Sequence, residues 1–278
     1  MRPIVVFLSA LLLTVALSAI SADATVAAPG SYTYETFGFD KACAPSNSQM
    51  DNFWSGSPYY HMYVYIGGSN VSCKNNTNLT AAWVDRNGPA SSKWGLMPIW
   101  VGPQPPCTTG NFYTFSSDTT TAFNQGSSEG SAAFSRAIGL HFGQTTPVVY
   151  DFEPWNTTDT ACVNAAKAFI RGWTTFLHAG AGQKAGVYGS TCGSGIDKFW
   201  GLSPALDWVW GANWNGNPST ANFGSCVNAT HWTNHQRHKQ YAGPHSETWN
   251  GTTMTVDSDC ANGPMFGVFD RLIESACL

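Results

Sequence analysis

The sequence predicts a single-domain α/β fold of the (β/α)8 TIM-barrel type with some helices missing, and three observations carry that expectation. Eight short apolar runs recur along the chain, and segments of helical period stand between several of them. No charge run, proline-rich hinge or internal repeat divides the 278 residues, 43% of which are hydrophobic and only 11% charged. Strand–helix–strand repetition sets neighbouring strands parallel, and eight such units in about 250 residues close into a barrel. The apolar share suffices for a sizeable core and excludes intrinsic disorder.

The first segment reads as an address. Arg2 supplies a positive start, Ile4 to Ala16 is almost wholly apolar, and Ala22-Asp23-Ala24 offers a small-residue cleavage site. Residues 1–24 are therefore expected to be a signal peptide and 25–278 the barrel domain. No other stretch approaches the roughly 20 apolar residues that span a bilayer. The expectation is a secreted protein, extracellular or wall-associated, monomeric, with no membrane contact after cleavage.

The eight runs are Phe37 to Asp40, His61 to Ile66, Leu96 to Val101, Pro147 to Glu153, Lys184 to Gly189, Asp207 to Ala212, Lys239 to Ala242 and Thr253 to Asp257. Helical character marks Glu129 to Leu140 and Asp159 to Ala179; in the second, Ala161, Ala165, Ala168, Phe169, Gly172 and Phe176 form a stripe near helical period. Pro105 to Gln125 and Trp214 to Thr233 are loop-rich and poorly helical, the places where helices are expected to be absent.

Eight cysteines, none in a C-x-x-C pair, fit disulfides in an exported chain better than zinc ligation, which needs close thiol pairs. The expected pairing, Cys43–Cys73, Cys107–Cys162, Cys192–Cys226 and Cys260–Cys277, joins loops after neighbouring elements. Six sequons, at Asn70, Asn75, Asn78, Asn156, Asn228 and Asn250, lie in polar stretches and mark surface if the host glycosylates. Lys plus Arg number 13 against 17 Asp plus Glu, for a net charge of -4 without a basic block, which excludes nucleic acid as partner. The 12 Trp, 10 Tyr and 16 Phe suit sugar rings and ordinary cores alike.

A barrel active site is built at the carboxyl ends of its strands. The run Val148-Val149-Tyr150-Asp151-Phe152-Glu153 ends in two carboxylates two residues apart, which alternation puts on one face, with Tyr150 and Phe152 turned to the helices. Asp40 closes Phe37-Gly38-Phe39 in the same way. Asp257 ends the run from Thr253, with Met254 and Val256 packing outward. A solvated strand end or helix cap explains any one acid; four at matching positions point to a common mouth. Crowded carboxyls raise one another's pKa, keeping one protonated while another stays ionised, as cleavage of a glycosidic bond requires.

The succession Gly38-Phe39-Asp40, Tyr150-Asp151-Phe152-Glu153, Gly186-Val187-Tyr188, Trp210-Gly211-Ala212-Asn213-Trp214, Gln240-Tyr241 and Val256-Asp257 resembles glycoside hydrolase family 25, barrel lysozymes that cut peptidoglycan. More closely, Gly38 to Pro45, Tyr65-Ile66-Gly67-Gly68 and Pro98 to Gln104 resemble the DUF1906 family, glycoside-hydrolase-like domains of secreted bacterial proteins of the mycobacterial Rv2525c type. The resemblance covers about residues 36 to 262. It implies Glu153 as proton donor, Asp151 as the carboxylate beside it, and Asp40 and Asp257 as acids shaping the cleft. Strands two and three, Tyr63 to Gly68 and Ile99 to Gly102, depart from typical lysozymes. No cofactor is implied.

Trp100, Trp155, Tyr188 and Trp214 fall at or just past strand ends, where rings can stack on sugars or simply pack loops; the resemblance favours Trp214. Gln240 can bond an acetamido group or a core neighbour. His231, His235, His238 and nearby His245 suggest a metal by spacing, but the segment holds no acid ligand and leads straight into a strand, so a solvated loop is expected and no metal. Gly126-Ser127-Ser128-Glu129-Gly130 matches Gly-x-Ser-x-Gly formally, yet the residues before it are too polar for the buried strand a nucleophile elbow needs. The resulting reading is a secreted protein acting on an amino-sugar polysaccharide, peptidoglycan foremost, with Glu153 as acid. A silent wall-binding module and a hydrolase of another glycan such as chitin are the alternatives.

Overall fold

The computed structural model describes residues 30–31, 36–91, 93–267 and 277; the leader expected over 1–24 lies outside them. Eight strands close into a barrel in chain order: β1 Thr36–Lys41, β2 His61–Gly67, β3 Gly95–Trp100, β4 Val148–Asp151, β5 Ala185–Ser190, β6 Trp208–Ala212, β7 Arg237–Trp249 and β8 Thr252–Asn262. Neighbours from β1 to β7 run parallel. A two-residue ladder pairs Gly30–Ser31 with Pro264–Met265.

The last strand departs from the all-parallel expectation, since β8 lies antiparallel to both β7 and β1. The connection decides this. Asn250 and Gly251 take φ of 45° and 76°, the positive values of a two-residue hairpin turn, which leaves no crossover and no helix. Asp257 consequently sits mid-strand rather than at a strand end. Register shifts at Gln240/Ala242 and Ala242/His245 let β7 leave the barrel wall. The hairpin tip then bonds to α1 (Asn47–Gly56), through Asn52 Nδ2 to Thr252 Oγ1 at 2.7 Å and Asn250 Nδ2 to Ser55 Oγ at 2.9 Å. Met254 and Val256 are thereby buried with Met50 and Phe53, covering a flank that has no helix of its own.

Alternation sorts the core into an inner and an outer layer. Tyr63, Met97, Ile99, Val149, Trp208 and Trp210 fill the barrel. Phe39, Met62 and Val64 face outward on one side, and Val148, Tyr150, Phe152 and Val187 on the other. The outer layer is covered by α1, α2 (Ala81–Asn87), α3 (Thr119–Gly139) and α4 (Thr160–Ala181). Helix α3 begins well before the expected Glu129 because Asp118 caps it, accepting from the Thr121 N–H at 2.8 Å. Asp159 caps α4 likewise.

Residues 213–236, between β6 and β7, contain no helix, as expected. Two cations from β7 bind their carbonyls instead. Lys239 Nζ donates to Asn217 O and Asn222 O at 2.6 Å each, and Arg237 to His231 O at 2.6 Å and Asn228 O at 3.0 Å. All four expected disulfides are present.

The Gly-x-Ser-x-Gly match lies within α3 and serves packing. A Cβ on Gly126 would overlap the Phe169 carbonyl of α4, and one on Gly172 the Phe123 carbonyl of α3. Gly126→Ala should therefore destabilise by about 2 kcal/mol, opposite in sign to the usual helix-interior gain of about 1 kcal/mol. Denaturant unfolding checks the sign.

Candidate active site

The barrel interior gathers five carboxyls. β1 and β8 set Asp40 opposite Asp257, and β7 and β8 set Gln240 opposite Asp259. Asp40 is buried; it accepts from Gln240 Nε2 at 2.6 Å and, more weakly, from Tyr65 OH at 3.4 Å. Asp259 is buried and accepts from Trp210 Nε1 at 2.9 Å. Asp151 is buried at the end of β4, while Glu153, two residues on, is half-buried, as is Asp257. Among the described residues, Asp151 Oδ1, Asp257 Oδ1 and Asp259 Oδ2 have no hydrogen-bond partner.

Carboxyls so placed bind protons more tightly than they do in water. Burial is the largest cause for all five and pushes each above the ordinary carboxylate range. Repulsion from Asp257 adds to the rise at Asp40, and repulsion from Glu153 and then Asp40 adds to that at Asp151. The contact between Asp40 and Asp257 raises the proton affinity of the first and lowers that of the second. Lys41 and His245 further temper the rise at Asp257.

Above the acids lies a cavity of about 450 Å³ lined by Glu153, Pro154, Tyr188, Cys192, Asn213 and Trp214, among others. The Trp214 ring is 61% exposed yet fixed, because its Nε1 donates to Gln240 Oε1 at 2.8 Å. Tyr188 OH donates to the same oxygen at 2.9 Å. Gln240 thus ties the ring at the rim to the acid in the core. A protonated carboxyl in the wall of a cavity, beside a fixed aromatic face, can deliver a proton to a leaving oxygen.

The family model for the Rv2525c-like, glycoside hydrolase-like domain matches residues 52–261. The chain belongs to this family. The matched span includes Asp151, Glu153, Asp257 and Asp259, and begins after Asp40. Among solved structures, the spore cortex lytic enzyme SleM of Clostridium perfringens superposes with a TM-score of 0.53 at 15% identity, over 84% of this chain and 68% of that one. An uncharacterized B. stearothermophilus protein gives 0.50 at 13% identity, over 86% and 98%. The Tat-secreted Rv2525c of Mycobacterium tuberculosis gives 0.45 at 13%, over 81% and 94%. At these identities the likeness is one of fold. No curated protein matches the chain.

In this glycoside hydrolase-like domain the structure brings together Asp40, Asp151, Glu153, Asp257, Tyr188, Gln240 and Trp214. It places two other expected aromatics elsewhere. Trp100 follows the inward-facing Ile99, so alternation turns it outward, where its indole N–H donates to Glu129 Oε2 of α3 at 2.5 Å. Trp155 is 4% exposed and donates to Ser194 O at 2.9 Å, packed into the outer core. The histidines part company: His231 pairs with Asp197 at 2.7 Å, His235 with Asn262 at 2.6 Å, and His238 with Tyr63 deep in the barrel at 2.6 Å.

Two members of the site went unremarked in the sequence. Asp259 repeats, after Asp257, the two-residue spacing of Asp151 and Glu153, so strand parity could have found it. Gln104 is fully buried; its Nε2 donates to Asp151 O at 2.9 Å and its Oε1 accepts the Glu153 N–H at 2.9 Å. It bridges the two acids where backbone pairing between β3 and β4, which extends only to Trp100 and Tyr150, has ended.

Asp259 offers a stability test. Its native proton affinity is raised, so its contribution is fully present below the unfolded pKa of about 4 and is lost as pH rises through the native value. Asp259→Asn should match the wild type near pH 4 and gain on it steadily as pH increases, with thermal melts across that range as the measurement.

Proposed function

We propose that the protein is a secreted glycoside hydrolase that cleaves amino-sugar polymers, peptidoglycan first among them. The observation that carries this reading is Glu153, a half-buried carboxyl of raised proton affinity in the wall of a cavity that also presents Trp214. Glu153 gives its proton to the leaving glycosidic oxygen as the bond to the anomeric carbon breaks. Asp257, whose rise Asp40, His245 and Lys41 oppose, supplies negative charge that favours the positive centre so formed, and the neutral Asp151 carboxyl orients the groups beside it. Water then adds its hydroxide to that carbon and returns a proton to Glu153. Tyr188 and Gln240 hold the floor, and Trp214 offers its face to a sugar ring.

Export is supported by the N-terminal leader pattern and by four disulfides, which persist in oxidising compartments. Among the described residues no helix is long and apolar enough to cross a membrane. One observation favours a second reading, a wall-binding module without turnover: Asp40, Asp151 and Asp259 are almost wholly buried, and Glu153 is the only one of the five carboxyls that lines the cavity. Chitin is the alternative substrate.

Reducing-end release from purified peptidoglycan and from chitin separates these readings. Glu153→Gln should lower the rate by about 10² to 10⁴. Equal rates in wild type and variant would remove Glu153 from the chemistry, and binding without release would favour the module. Because the acid must be protonated to act, the wild-type rate should fall as pH rises through the elevated Glu153 value. The residual rate of Glu153→Gln should lack that limb.

A further inference from the structure

We propose that Tyr113 is a second sugar-stacking platform, set across the barrel mouth from Trp214, so that the site takes an amino-sugar polymer along several rings. This rests on the glycan reading of the same mouth and extends it from one ring to a length of chain. Three large apolar side chains stand exposed among the described residues: Tyr113 at 72%, Trp214 at 61% and Trp200 at 45%. Trp200 stacks on His231, with ring centres 4.3 Å apart. The other two rise from loops that follow strands β3 and β6, on the face where a barrel binds its ligands. In the ring of strands β4 and β5 lie between them, and Glu153 follows β4. In the order of the strands Glu153 therefore falls between the two rings.

The Tyr113 backbone is fixed although its side chain is free. Its carbonyl accepts from the Gln104 N–H at 2.8 Å and from Asn70 Nδ2 at 2.9 Å, while its own N–H donates to Asn70 Oδ1 at 3.0 Å. The same Gln104 receives the Glu153 N–H on its side chain. A single residue therefore sets the position of the ring relative to the acid. The segment between them is fastened as well, by Cys107–Cys162 and by the hydroxyls of Thr108 and Thr109, each 3.1 Å from Pro154 O. A flat face on a fixed backbone loses only the freedom of its own side chain on binding, which keeps the ordering cost of stacking small.

The test uses Glu153→Gln protein, in which turnover is slowed, and calorimetric titration with a disaccharide and a hexasaccharide of N-acetylglucosamine and with soluble peptidoglycan fragments of the same two lengths. Adding Tyr113→Ala should weaken the longer ligand about tenfold and leave the shorter one unchanged, whereas adding Trp214→Ala should weaken both. Adding Tyr113→Phe, which keeps the face, should bind as the parent does. If the parent binds the longer ligand and Tyr113→Ala binds it equally well, the second platform falls and the glycan reading stands. If the parent binds no ligand of either kind, both fall together.

Discussion

The amide of Gln240 holds the two halves of the site in one arrangement. Its oxygen receives Trp214 Nε1 and Tyr188 OH, and its nitrogen donates to Asp40. An amide is the side chain that can do both at once while remaining neutral among acids. A carboxylate there would repel Asp40, and an apolar group would take from the indole and the phenol their acceptor and from Asp40 the shorter of its two hydrogen bonds. The amide is held in turn by its strand, since β7 pairs with β6 at Ala212 and with β8 at Asp259. The exposed platform and the buried acid are therefore parts of one bonded unit, and neither moves alone.

The flanks of the barrel show how a fold of this type dispenses with helices. Where a helix would satisfy its own carbonyls, the 213–236 loop has them bound by Lys239 and Arg237, both on β7. Where another helix would cover the outer face of β8, the hairpin folds over α1 and buries Met254 and Val256. β7 thus supplies the loop's ligands at its start and, one residue after Lys239, the amide of the site, and its far half joins β8 in the hairpin that covers the flank. This explains its 13 residues, long for a barrel stave.

Much of this was legible in the letters because a closed sheet imposes a period of two. Phe39, Tyr150 and Phe152 alternate with Asp40, Asp151 and Glu153, which is enough to place the acids inside and the rings outside. The same rule, carried one residue past Ile99, turns Trp100 to the helices, and carried from Asp257 it reaches Asp259. Strand direction was not legible from periodicity, which reads the same both ways; the signal lay in Asn250-Gly251, a hairpin turn that also spells a sequon. The bridging of Gln104 was hidden for another reason. A side chain that replaces a missing backbone pair leaves no pattern in its neighbours.

Reversal of the last strand sets the heights of the acids. On the ascending β4 the later carboxyl stands higher, so Glu153 is half-buried over a buried Asp151; on the descending β8 the earlier one does, so Asp257 is half-buried over a buried Asp259. The same spelling, acid–any–acid, read in opposite directions, yields two tiers with one group from each strand in each. Chain polarity thus sorts each pair: the half-buried member comes second on β4 and first on β8.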